Sequence, residues 1–250
     1  MIYFLIPAWN EEDTVGLLLY KVREVMKDVR REFLAVVLDD GSEDATGEMA
    51  EKYQKFLPVK VLRHAENRGM GPSLDRLVRE ATRLSKYPDR DIAITLEADF
   101  SFSPDAVPQM VQEIEAGADV VVGARNHPES EVDEAPFTRR SSSSVVSTVL
   151  RAVMPVPGVS DYLSTFRAYR IGTLKRALET YQESLITTSD AAANVELLLR
   201  LARFHPTFVE VPVHCRFDIR ARPSRHRWSR SVKSHLSLTG RVDRVAAPAG

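Results

Sequence analysis

The sequence predicts an α/β fold with a mostly parallel central sheet flanked by helices. Short apolar runs alternate with segments of helical periodicity along residues 1–125. Most of these runs end in a polar cluster or a turn signal. Strands that alternate with helices of this length imply βαβ units, whose parallel sheets are covered on both faces.

Ile2 to Pro7 is an apolar run ended by proline, and it reads as the first strand. Glu11 to Lys27 places Val15, Leu18, Leu19, Val22, Val25 and Met26 at helical spacing. Phe33 to Leu38 is a continuous apolar run, a second strand, ending in Asp39-Asp40-Gly41-Ser42. Helix is expected over Thr46 to Phe56, strand over Val59 to Leu62, then a loop with Gly69 and Gly71, and helix over Leu74 to Leu84. Ile92 to Leu96 is a fourth strand ending in Glu97-Ala98-Asp99, Ala106 to Glu115 a helix, and Asp119 to Val122 a fifth strand. The second half is less regular. His127 to Pro136 is acidic and loop-like, and Arg139 to Met154 has the spacing of an amphipathic helix. Ser164 to Tyr169 and Phe208 to Val213 read as strands, Thr173 to Leu178 and Asn194 to Phe204 as helices. The expected organisation is a single domain over residues 1–240, with a nucleotide-binding half (1–125), an acceptor-binding half (126–240), and a loose tail over 241–250.

Composition narrows the function. A net charge of -1 argues against a nucleic-acid binder, which carries a clear basic excess. The charge is uneven, however: Arg216 to Lys233 holds seven basic residues against the single acid Asp218. Such a field favours phosphate, pyrophosphate or an acidic lipid surface, unless it is simply a solvated basic segment. Cys215 is the only cysteine, so no intrachain disulfide forms, which fits a reducing, cytoplasmic setting. No signal-peptide pattern and no apolar run of membrane-spanning length is present, so a lipid substrate would be met from the inner face of the membrane.

In open α/β sheets, ligands bind beyond the carboxyl ends of the strands. The polar clusters Pro7 to Glu12, Asp39 to Asp44, Glu97 to Ser101 and Gly123 to Arg125 are therefore expected at one site. Glu97 and Asp99 stand two apart past a buried strand, and in extended chain such residues share a face. Their hard oxygen donors suit Mg2+ or Mn2+; a polar strand end with a helix cap explains them equally. Asp39 to Asp44 offers a carboxylate for a base or ribose hydroxyl, or a plain Asp-Gly turn with a helix cap. Gly69-Met70-Gly71-Pro72 lacks the third glycine of a dinucleotide fingerprint and reads as a loop and helix start. There is no Walker A sequence and no Cys/His metal spacing.

Taken together, the motifs resemble those of family-2 glycosyltransferases with a GT-A-type fold. Pro7-Ala8-Trp9-Asn10-Glu11-Glu12 is similar to their P-A-Y-N-E-E opening, Asp39 to Asp44 to D-D-G-S-x-D, and Glu97-Ala98-Asp99 to the metal-binding D-x-D. Within the family the resemblance points to dolichyl- and polyprenyl-phosphate mannose synthases. Val122 to Arg125 looks like their S-G-T-R, and Ser160 to Arg170 like S-D-L-T-G-S-F-R-L-Y-R. Val195-Glu196 and Val209 to Val213 are similar to their M-E helix and G-E-V-P-I strand. Arg220 to Arg225 falls where they carry R-x-x-G-x-S-K.

The resemblance implies that Pro7, Trp9, Glu11, Leu38 and Asp40 line the nucleotide pocket. It implies that Glu97 and Asp99 hold Mg2+ or Mn2+, with Ala98 against the nucleotide. It also implies that Arg125, Arg220 and Arg225 bind the diphosphate or the acceptor phosphate. Trp9 stands for the usual tyrosine, Glu97 for the first aspartate of D-x-D, and Arg225 for lysine. The reaction implied is inverting transfer of mannose, or next of glucose, from a nucleotide sugar, GDP-mannose first, to a polyprenyl phosphate. A phosphate acceptor needs no general base, whereas a hydroxyl acceptor does, and Asp161 is the candidate for it or else orients a loop arginine. Two rival readings stand beside this one: a family-2 enzyme using a hydroxyl acceptor, and a non-catalytic nucleotide-sugar binder. Arg139–Met154 and Arg216–Lys233 form either a membrane-facing patch or, for the Val/Leu stripe, core packing.

Overall fold

The structure, a computed structural model, describes residues 1–133 and 147–216, and beyond them residues 234, 235, 237, 238 and 240. Strands β1 (Ile2–Ala8), β2 (Phe33–Asp39), β3 (Val59–Arg63), β4 (Ile92–Thr95), β5 (Val120–Ala124), β7 (Arg167–Arg170) and β8 (Phe208–Pro212) form one sheet. Its order is β3-β2-β1-β4-β7-β5-β8. β7 runs antiparallel between β4 and β5; the remaining pairings are parallel. A second, two-stranded parallel sheet joins β6 (Glu131–Asp133) to β9 (His214–Arg216). The helices are α1 (Val15–Val29), α2 (Thr46–Lys52), α3 (Met70–Leu84), α4 (Val107–Glu115), α6 (Ile171–Tyr181) and α7 (Ala192–Ala202), with α5 described over residues 147–153.

Side chains alternate across the strands and sort into two cores. Ile2, Phe4 and Ile6 of β1 share one core with Leu18, Leu19 and Val22 of α1 and with the buried face of α4. Tyr3 and Leu5 of the same strand share the other with α3, α6 and α7. This other core draws on residues from Tyr3 to Leu238, so both halves of the chain contribute to it. A sheet covered on both faces explains why β1, β2 and β5 are nearly continuous apolar runs.

The five strands and four helices expected in the first half are present with boundaries shifted by a few residues. The start of α1 moves to Val15 because a loop follows β1, with Asn10 at φ 56°. The acidic stretch expected as loop contains β6, a strand made by pairing with β9 and not by any apolar pattern of its own. The tail expected over 241–250 and most of the Arg216–Lys233 segment lie outside the described residues. Among the described residues, no helix is long and apolar enough to cross a membrane.

Candidate active site

The carboxyl ends of β1, β2 and β4 meet as a rim. The Asp40 amide donates to Ala8 O at 2.8 Å, and the Ala98 amide to Pro7 O at 3.4 Å. Asp40 and Ala98 thus flank the end of β1 from its two sides, and the two acidic loops share one edge of the sheet. This is the placement that parallel strands leading into polar loops require.

The first two loops lock together. The amides of Asn10 and Glu11 donate to Ser42 Oγ (3.0 Å) and Thr46 Oγ1 (2.7 Å). In return the amides of Glu43 and Ala45 donate to Asn10 Oδ1 (2.8 Å) and Glu12 Oε2 (3.0 Å). Just before α2, Asp44 Oδ1 accepts from the Thr46 amide at 3.0 Å. Much of the polar content of both loops therefore fixes their relative position. Trp9 remains 36% exposed on this rim. Pro7 and Glu11 are half-buried beside it, Glu11 Oε2 accepting from Thr14 Oγ1 at 2.9 Å. Leu38 and Ala98 are buried, Leu38 in the core beneath.

Asp40 is buried and heavily engaged. Its Oδ1 lies 2.6 Å from His64 Nδ1 and accepts from the Arg68 amide at 3.1 Å, while Oδ2 accepts from the Gly69 amide at 2.8 Å. It holds the loop between β3 and α3 against the rim. Gly69 (φ 91°) and Gly71 then let that loop touch the segment before α7: a Cβ at Gly71 would sit 1.7 Å from Thr188 O. That segment is fixed in turn by Glu196, which accepts from the amides and hydroxyls of Thr187 and Thr188 and pairs with Arg200 at 2.8 Å. Reading Gly69 to Gly71 as a loop and helix start agrees with α3 beginning at Met70.

Glu97 and Asp99 follow β4, but the strand ends at Thr95 and the chain turns at residues 98–99, with Phe100 at φ 58°. The alternation of extended chain therefore does not govern this pair. Asp99 is buried, and its Oδ1 accepts from the Ser101 amide at 2.9 Å, closing the turn. Glu97 is half-buried and close enough to Arg125 to favour that arginine's charge. Two carboxylates are the oxygen donor chemistry that Mg2+ and Mn2+ take. Among the described residues, no group of three or more His, Cys, Asp or Glu gathers at an ion position. Glu97 and Asp99 supply two such donors on the loop after β4.

Arg125 follows β5 and meets Asp161 with a two-pronged contact, Nε to Oδ2 at 2.8 Å and Nη2 to Oδ1 at 2.7 Å, and its amide adds a third bond at 3.0 Å. Burial pushes the Asp161 carboxyl up, but the adjacent Arg125 guanidinium outweighs it and holds the carboxyl below its ordinary value. On Arg125 burial disfavours the charge, and Asp161 again prevails, raising its value. Arg220 and Arg225 lie outside the described residues. The chain leading to them is tied to the rim, since the Arg216 amide donates to Ser101 O at 3.0 Å.

The structure thus places Trp9, Asp40, Glu97, Asp99 and the Arg125–Asp161 pair at the ends of β1, β2, β4 and β5. His64 as a partner of Asp40 has no counterpart among the sequence candidates, and Glu196, named there only within the Val195-Glu196 motif, proves to anchor the wall beyond Gly71. Glu196 did carry a signal, a lone carboxylate inside the apolar run Val195 to Leu199.

The chain is similar in sequence and in fold to known proteins. Over 167 residues the chain is 28% identical to a dolichol-phosphate mannosyltransferase of Pyrococcus furiosus, covering 66% of this chain and 45% of that relative's length. It is 26% identical over 209 residues to a polyprenol monophosphomannose synthase of Mycolicibacterium smegmatis, covering 84% of this chain and 75% of the relative. An undecaprenyl-phosphate mannosyltransferase of Micrococcus luteus is 28% identical, with 84% and 81% covered. In fold, the chain matches glucosyl-3-phosphoglycerate synthase from Mycobacterium tuberculosis, solved with Mn2+, UDP and glucosyl-3-phosphoglycerate, at a TM-score of 0.64 and 21% identity, over 96% of this chain and 80% of that one. That likeness confirms the GT-A type of α/β fold. The model of the family described as glycosyl transferase family 2 matches residues 3–178, and the chain belongs to that family.

Proposed function

We propose that this chain is an inverting glycosyltransferase that moves a sugar, mannose first, from a nucleoside-diphosphate sugar to a polyprenyl phosphate. The relatives named for transfer to dolichyl, polyprenyl and undecaprenyl phosphates support the acceptor class. GDP-mannose is the donor proposed from the mannose-transferring relatives.

One observation of the site carries the choice of acceptor. A hydroxyl acceptor needs a base within hydrogen-bond reach. Asp161, the candidate, has both carboxylate oxygens committed to Arg125 and is held below its ordinary value, which makes it a poor proton acceptor. A phosphate acceptor is anionic at neutral pH and attacks without such a base. Arg125 then supplies positive charge beside the diphosphate, and Trp9 an apolar face for the nucleotide. Glu97 and Asp99 would hold Mg2+ or Mn2+, which supplies Lewis-acid stabilisation of the departing diphosphate.

A lipid acceptor implies contact with a membrane surface. The exposed Val149 and Val153, one helical turn apart on α5, support a peripheral contact in which apolar side chains meet the interface. Incubation with a labelled nucleotide-sugar panel, Mn2+ and a short polyprenyl phosphate tests the reading. Label extracted into the organic phase supports it; transfer to hydroxyl acceptors alone overturns it.

A further inference from the structure

We infer that Glu210 is a positioning residue for Arg125, acting through Asp161; the inference rests on the reading of Arg125 as the diphosphate-facing cation. Glu210 lies on β8, the edge strand of the main sheet, between the apolar Val209 and Val211. Its carboxylate is spent on one turn of chain. Oε1 accepts from the Ser160 amide at 2.6 Å and from the Asp161 amide at 2.9 Å, and Oε2 accepts from Ser160 Oγ at 2.6 Å. Gly158, at φ 81°, lets the preceding chain run close to the same strand: a Cβ there would stand 2.8 Å from Phe208 O. Residues 158–161 are therefore pinned along β8 at two places.

Asp161 leaves that pinned turn and takes Arg125 by its amide, Nε and Nη2. An arginine has a long, flexible stem, and its planar fork aims only where a partner of matching geometry fixes it. Asp161 sets the direction of the guanidinium, and Glu210 sets the position of Asp161. The parallel pairing of β5 with β8, Val122 opposite Glu210, keeps both ends of this relay on neighbouring strands. The hydrogen bonds of Glu210 go to Ser160 and Asp161, so its influence on Arg125 passes through the turn.

The test is a double-mutant cycle on the full chain, read both as Mn2+-dependent affinity for a nucleoside diphosphate by calorimetry and as kcat/KM for transfer. Glu210→Ala is expected to weaken both by roughly 10- to 100-fold, the cost of misplacing a contact by about an ångström. The same change in an Asp161→Ala background is expected to add nothing, because the path is already cut. Glu210→Gln keeps an oxygen for both amides and is expected to restore most of the affinity. Should Glu210→Ala not fold, Glu210→Asp keeps the charge but shortens the reach, and is expected to behave as the alanine variant would. Losses that multiply in the double variant, or wild-type values for Glu210→Ala or Glu210→Asp, overturn the relay. If no polyprenyl phosphate is glycosylated while the cycle in nucleoside-diphosphate affinity holds, the acceptor reading fails and the relay stands.

Discussion

The guanidinium of Arg125 and the carboxylate of Asp161, 36 residues apart in sequence, face each other through parallel bonds of 2.8 and 2.7 Å. Their side chains are 22% and 5% exposed, so the pair is largely removed from water. Such a pair contributes more by what its loss would expose than by its net attraction. On the proposed reading Asp161 holds Arg125 and accepts no proton, and the two roles differ in their measurable consequences.

Asp161→Ala leaves a partly buried arginine without its partner. It is expected to lower stability by about 3 kcal/mol, read from urea unfolding. Asp161→Asn is expected to slow transfer while leaving the shape of the pH–rate profile unchanged. Disappearance of an acidic limb in that variant would instead mark Asp161 as the base.

Gly71→Ala places a methyl group 1.7 Å from Thr188 O, the carbonyl of a residue whose amide and hydroxyl both donate to Glu196. Neither side has room to give. A loss of roughly 1–3 kcal/mol is expected, together with weaker nucleotide binding, because the wall beside the rim shifts. An unchanged denaturation midpoint would mean that the contact is not a constraint.

Acid is expected to destabilise the fold through three carboxyls. Burial raises Asp161 and Glu196, but Arg125 in the first case, and Thr187 and Arg200 in the second, bring the net below the ordinary value. Glu80 is lowered to about 2, first by its hydrogen bond to Arg83, against burial, and then by Lys60. A carboxyl that is more acidic folded than unfolded takes up its proton more readily in the unfolded chain. Its contribution is complete above the unfolded value, about 4 to 4.5, and is lost as pH falls through the folded value. Unfolding free energy measured from about pH 6 down to about pH 3 should decline, and Glu196→Gln should decline less steeply. An equal slope in that variant would remove Glu196 from the account.

The sheet and its rim were legible because buried parallel strands write themselves as unbroken apolar runs, and Ile2 to Pro7 and Phe33 to Leu38 are such runs. β6 was not, since Glu131–Asp133 carries no apolar pattern and becomes a strand only by pairing with β9. The meeting of the acidic loops followed from topology. The internal duties of Asp40 did not, because His64 and Gly69 reach it across 24 and 29 residues of sequence. The placement of Glu97 and Asp99 followed a strand rule that fails here, where the chain turns after Thr95. Glu210 stood in sequence only as the acid of the Val209 to Val213 motif, with no role attached; its contacts to Ser160 and Asp161 give it one.

On the proposed reading, Asp99, Glu97 and Arg125 together hold a cation and the diphosphate it accompanies. Calorimetric titration of nucleoside diphosphate, with and without Mn2+, tests it most directly in wild type, Asp99→Ala and Glu97→Ala. Binding to the wild type should tighten markedly with Mn2+. Asp99→Ala should lose that gain, and Glu97→Ala, at the half-buried member of the pair, should lose less of it. Equal affinity in all three proteins, with or without the metal, would contradict the account.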